Sequence, residues 1–113
     1  MKRYFVQLFH IFIIGSLFLY VGIRRTEIPK FLFQILFVTG ILIFLFHGYK
    51  AYRHLVKGES GWVNYIHMFL IAPLLVYIGY QQEETKRFAF EIILMLAFTS
   101  IGYHGYYLAA SEK

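Results

Sequence analysis

Residues 31–49 read FLFQILFVTGILIFLFHGY and residues 88–106 read FAFEIILMLAFTSIGYHGY. Each is an almost unbroken apolar run close to the roughly 20 residues that a helix needs to cross the hydrocarbon of a bilayer. Both close on His-Gly-Tyr, and the second lies 57 residues after the first. The offset holds beyond these runs. Laid over residues 1–56 without a gap, residues 58–113 match at fourteen of 56 positions, including His10 with His67 and His47 with His104. Self-similarity at a fixed offset is the mark of an internal duplication.

Two further apolar stretches complete the pattern, so the spans fall at about 4–23, 31–49, 62–80 and 88–109. They are too long and too continuous for barrel strands of about 10 alternating residues. The composition agrees: 59% of the residues are hydrophobic, 21% are aromatic and 15% are charged, against about 25% charged in a soluble domain. A small soluble domain has too little interior to hide that much apolar side chain. The net charge of +5 is not a nucleic-acid signal, because Lys and Arg sit in the connections, where they mark span ends. With no cysteine there is no disulfide framework and no thiolate site. The first stretch begins with Lys2 and Arg3 but lacks a small-residue cleavage site, so it reads as a retained span rather than a signal peptide.

The connections are short: Arg24 to Lys30, Lys50 to Gly61, and Gln81 to Arg87. Short connections make antiparallel neighbours. The expected object is an all-α membrane protein, a four-span up-down bundle made of two hairpin repeats, 1–57 and 58–113, in parallel orientation within one domain. Both termini then share a side. That side carries Lys2, Arg3, Lys50, Arg53, Lys57 and Lys113, against Arg24, Arg25, Lys30, Lys86 and Arg87 opposite. The small excess points to a cytosolic location for the termini. Tyr4, Tyr20, Trp62, Tyr77, Tyr80, Tyr106 and Tyr107 near span ends suit an interfacial aromatic belt.

The histidines carry the functional question. His10 and His67 lie shortly inside spans that leave the terminal side, while His47 and His104 lie shortly before spans that return to it. At 1.5 Å per residue all four fall within roughly the outer 10 Å of one leaflet. Val6, His10, Ile14 and Leu17 share a helix face, as do Val63, His67, Ile71 and Leu74, and a face carrying a polar residue is expected to look into the bundle. Gln7 and Asn64 stand three residues before His10 and His67, placed to hydrogen-bond the ring nitrogen that a ligand does not use. The phase of the other two spans leaves the direction of His47 and His104 open. Gly48 and Gly105 beside them permit close approach, with Tyr49 and Tyr106 next in line.

Ionisable groups inside spans are usually functional. The leading expectation is a ligand site, in which the histidines hold haem b axially or a single zinc or copper ion, making an electron carrier or metal-binding protein. No histidine pair within one helix has the spacing of local chelation. A purely structural membrane component is the second reading, with histidines that only bond across helices. A proton-conducting bundle is the third, opposed by the apolar middle layer of Ile14, Leu17, Val38, Ile71 and Leu74. A second polar layer of Gln34, Glu91, Tyr20 and Tyr77 is weighed against a simple Arg87–Glu91 ion pair one helical turn apart. Pro73 is expected to kink its span, whereas its counterpart Ser16 is not. Gly102 and Gly105 read as a stripe for close helix contact. No nucleotide fingerprint, HExxH motif or nucleophile elbow occurs, so an enzyme is not expected. The partners are the bilayer and either a second copy or another membrane protein.

The stretch Trp62 to Gly79 (WVNYIHMFLIAPLLVYIG), with Gly102-Tyr-His-Gly-Tyr106, resembles small multi-span proteins of unknown function encoded by large eukaryotic DNA viruses. The resemblance covers about a quarter of the chain. It implies a viral membrane setting and a structural role, and it brings no catalytic residues.

Overall fold

The computed structural model describes residues 2–110; Lys113, counted above in the charge bias, lies outside them. Among the described residues, four helices are long and apolar enough to cross a membrane: Tyr4–Glu27, Lys30–Val56, Trp62–Glu84 and Arg87–Ala110. We call them the first to fourth helices. The second runs well past the expected end at residue 49, because residues 50–56 hold no glycine or proline and continue the helix with Lys50, Arg53 and His54 breaking the apolar run. The turn to the third helix comes at Gly58, which takes a positive φ of 74°.

The helices form two compact units, 1–27 with 86–113 and 28–85. Each unit therefore contains one span from each half of the sequence. In the first unit His10 stacks on His104 and Gly22 faces Leu94, so the first and fourth helices run antiparallel. In the second unit His47 stacks on His67 and Gly79 faces Phe37, so the second and third helices do the same.

The first and third helices share an internal distortion. The first is α-helical over Lys2–Leu8, turns to π-helix over Phe9–Ile14 and resumes as α-helix over Gly15–Arg24. The third is α-helical over Trp62–Ile66, π-helical over His67–Ile71 and α-helical again over Ala72–Gln81. The Gly15 amide donates to the His10 carbonyl and the Ala72 amide to the His67 carbonyl. A π-turn inserts one residue and rotates everything after it by about 100°. It thereby moves the packing face off the one expected from α-helical spacing. Below the histidines the buried residues are Gly15, Phe18, Val21 and Gly22 in the first helix, and Ala72, Leu75, Ile78 and Gly79, with Leu74, in the third. Val6 and Val63 are exposed, Ile14 and Leu17 are half-buried, and Val38 of the supposed middle layer is 53% exposed. Proline is not the cause of the distortion, since the first helix has Ser16 where the third has Pro73.

Burial recurs at the same offset in the other two helices: Leu32, Phe33, Leu36 and Gly40 in the second correspond to Ala89, Phe90, Ile93 and Ala97 in the fourth. Both turns following the first and third helices repeat as well, with a positive φ at Arg25 (57°) and Gln82 (52°) leading into a single 3-10 turn. Arg25 Nε donates to the Gly22 carbonyl at 2.9 Å, and Thr85 Oγ1 donates to the Ile78 carbonyl at 3.3 Å. Each helix end thus has a carbonyl satisfied by a side chain.

Small residues set the helix separation. A Cβ on Gly79 would lie 2.6 Å from the Phe33 carbonyl oxygen and from the backbone nitrogen and Cβ of Phe37; one on Gly22 would lie 2.9 Å from Leu94 Cβ. The expected glycine stripe is not where the contact is: a Cβ on Gly102 or Gly105 meets nothing within 4 Å. Gly79→Ala is therefore expected to destabilise the second unit by about 1–3 kcal/mol through overpacking against backbone. Gly102→Ala should be neutral or stabilising by up to ~1 kcal/mol from helix propensity. Thermal unfolding of the two variants in detergent checks this; equal effects would contradict the assigned contact.

Candidate functional site

The span histidines form two pairs of the same design. In the first unit the rings of His10 and His104 lie 4.2 Å apart, centroid to centroid, with 26° between their planes. In the second unit the His47 and His67 rings lie 4.1 Å apart at 19°. All four residues are half-buried. His47 and His104, whose direction the helical phase left open, are thus each stacked on a histidine of the facing helix.

Every one of these rings is held through Nδ1. His10 bonds the Val6 carbonyl at 2.9 Å and His67 bonds the Val63 carbonyl at 2.8 Å, each one turn back along its own helix. His47 bonds Asn64 Oδ1 at 2.8 Å, and His104 bonds Gln7 Oε1. The two amides were expected to serve His10 and His67, their neighbours in sequence. Instead they reach across to the facing helix, because the i−4 carbonyls already occupy Nδ1 of His10 and His67. Asn64 is 5% exposed, so its bond to His47 is made in a site with little access for water.

These partners dictate the tautomer. A carbonyl or amide oxygen can only accept, so each Nδ1 must carry the hydrogen. In the neutral imidazole the lone pair then lies on Nε2, the arrangement that orients metal-binding histidines. Aromatic edges brace the rings: Phe46 lies edge-on to His47 and Tyr103 edge-on to His104, both at 5.1 Å. The π-turns add a further polar contact in the first unit, where Ser100 Oγ donates to the His10 carbonyl at 3.3 Å. Among the described residues no buried side-chain nitrogen or oxygen lacks a partner.

The other residues singled out from sequence are placed differently. A Cβ on Gly48 would meet the Met68 methyl at 3.5 Å, while one on Gly105 would meet nothing within 4 Å. Tyr49 and Tyr106 are 61% and 66% exposed and point away from the helix pairs. Glu91 is bound by two arginines, Arg87 at 3.1 Å and Arg25 at 3.4 Å. This extends the expected ion pair into a clamp joining the first and fourth helices. Gln34 and Tyr20 are exposed and Tyr77 is half-buried. His54, given no role from sequence, bonds Glu59 at 3.1 Å.

The geometry bears on which ligands suit the pairs. Two axial imidazoles on a haem iron, with metal–nitrogen bonds of ~2 Å, have centroids roughly 6 Å apart, so a haem does not fit within either pair as packed. Two imidazoles on one tetrahedral ion have centroids roughly 5 Å apart, within about 1 Å of the stacked distance. Among the described residues no group of three or more His, Cys, Asp or Glu side chains converges on one point. Each pair by itself offers two imidazole donors and leaves the remaining coordination positions to other ligands.

Sequence reasoning missed the roles of the Val6 and Val63 carbonyls and the crossing of the amides. The second had a signal: Gln7 pairs with His104 as Asn64 pairs with His47, and Gln7 lies 57 residues before Asn64 as His47 lies 57 before His104. Comparison of the chain with protein-family models, with curated proteins and with solved structures returns no match.

Replacing Asn64 by Leu removes the oxygen that holds His47 and leaves a part-buried N–H without its partner. The expected cost is about 1–3 kcal/mol, with Gln7→Leu acting on the first unit in the same sense. Unfolding of both variants against the parent protein checks this; no loss of stability in either would contradict the anchoring roles.

Proposed function

We propose that the chain is a multi-span membrane protein, descended from a duplicated helix hairpin, in which each imidazole pair is an intramembrane binding site for a transition-metal ion, zinc or copper. In this reading it is a binding protein rather than an enzyme, and its termini lie on the cytosolic side. Membrane residence is supported by four long helices whose outward surface is largely Phe, Ile, Leu and Met, including Phe12, Ile23, Leu45, Phe69 and Met95. In lipid only helices or closed barrels satisfy the backbone, which suits a chain of this kind. Duplication is supported by the recurrence, at one offset, of the π-turns, the positive-φ turns, the buried positions and the histidine anchors.

One observation carries the metal reading. All four span histidines donate through Nδ1 to an oxygen, which sets Nε2 as the basic nitrogen before any ligand arrives. A histidine that served only to link helices would need one bond of this kind in one direction. Here the same bond recurs four times, by two different kinds of acceptor, and pairs the rings face to face. Imidazole suits zinc and copper. Closing a pair around an ion requires the rings to part by about 1 Å and to tilt or turn about their side-chain bonds, because each Nε2 lone pair lies in its own ring plane.

The test is equilibrium dialysis of detergent-purified protein against zinc or copper(II), followed by metal analysis. One ion per imidazole pair is expected, with the stoichiometry halved in His10→Ala/His104→Ala and abolished when His47 and His67 are also replaced. His54→Gln should change nothing. Parent protein that retains no stoichiometric metal would overturn the metal reading.

A further inference from the structure

The second helix extends well beyond its apolar run. It has 27 residues, and at 1.5 Å per residue it is about 40 Å long, roughly 10 Å more than the hydrocarbon core. The surplus is the stretch after His47, and it is basic. Lys50, Arg53 and Lys57 follow one helix face and, with Tyr49 and His54, line an open groove of about 270 Å³ in the second unit. The positions that correspond to Lys50 and Arg53 in the other half of the chain are Tyr107 and Ala110. Lys50 and Arg53 are therefore not part of the pattern that recurs at the 57-residue offset.

Their charge is not spent inside the protein. At the far ends of the helices Arg24 pairs with Glu27, and Arg25 and Arg87 pair with Glu91. Among the described residues Lys50, Arg53 and Lys57 have no carboxylate partner, and the nearby Glu59 is engaged by His54. Two of the three lie over aromatic rings, Lys50 at 5.3 Å from the Phe46 centroid and Arg53 at 5.9 Å from that of Tyr49. Those contacts hold the cationic heads over the groove and leave their hydrogen-bond donors for an anion.

We infer that this groove binds the phosphate of an anionic phospholipid headgroup. The inference rests on the membrane reading above, which sets the end of a 40 Å helix at headgroup depth. A phosphate there meets two ammonium groups, a guanidinium able to bind two oxygens, and the Tyr49 hydroxyl, while the acyl chains run along the apolar surface of Phe46, Leu45 and Leu42, all of it exposed. Cations next to a span attract anionic lipid by an amount worth about fivefold in affinity for each charge.

The test uses the full chain in a neutral detergent. Short-chain phosphatidic acid, phosphatidylcholine and inorganic phosphate are titrated separately, with binding read by thermal shift and native mass spectrometry. Phosphatidic acid should bind at one per chain and at least tenfold more tightly than phosphatidylcholine. Inorganic phosphate should compete only weakly, since it lacks the acyl chains. Lys50→Gln/Arg53→Gln/Lys57→Gln should lose about a hundredfold at low salt, and each single variant about fivefold. Lys30→Gln, at the other end of the same helix, should lose nothing. Equal binding of the two lipids, equal binding of free phosphate, or unchanged affinity in folded single variants would overturn the inference. Carbonate extraction of native membranes separates the two levels: a chain released without detergent sinks the membrane reading, whereas a retained chain without lipid preference sinks only the groove.

Discussion

Each span histidine donates a hydrogen bond from Nδ1 to an oxygen one helical turn away or on the facing helix. In the proposed bilayer setting that bond has consequences beyond the ring it holds. An unpaired imidazole N–H in an apolar medium costs several kcal/mol, so the acceptors must be present wherever the histidines are. Val6 and Val63 supply them from backbone. Gln7 and Asn64 supply them from side chains and so tie one helix to the next. The result is a pair of rings whose orientation, tautomer and basic nitrogen are all decided by the protein.

The pairs can form because the helices come close. Between apolar helices in lipid no hydrophobic force remains to press them together, and packing at short range takes its place. Gly22 against Leu94 and Gly79 against Phe33 and Phe37 supply that packing at equivalent positions. The π-turn connects the two features. Without the added residue, the face that carries His10 would continue through Ile14 and Leu17; with it, Gly15, Phe18 and Gly22 come round instead. Stacked histidines above and close-packed glycines below then lie on the same helix pair.

Much of this was legible in the sequence and some was not. The four long apolar helices followed from the length and continuity of the apolar runs, and the matched placing of His10 with His67 and of His47 with His104 followed from the offset. The extension of the second helix to Val56 was hidden because hydropathy marks only the part of a helix that suits lipid. The π-turns left no compositional trace: Ser16 stands at the place of Pro73, and the same distortion occurs around both. Which helix each amide serves depended on knowing that the first helix packs on the fourth and the second on the third. Short loops named the second and third helices as neighbours but said nothing of the first and fourth. Gly102 and Gly105 looked like a contact stripe because spacing alone does not say which face is covered.

The central claim is that the protein sets all four span histidines as Nδ1–H imidazoles with the lone pair on Nε2. Nitrogen-15 NMR of histidine-labelled His54→Gln protein in bilayers reads this directly, since protonated and unprotonated ring nitrogens resonate far apart. At a pH where the rings are neutral, the account predicts that every Nδ1 gives the protonated signal and every Nε2 the unprotonated one, and that zinc shifts the Nε2 signals alone. Protonated Nε2 signals in the neutral rings, or a mixture of tautomers, would contradict it.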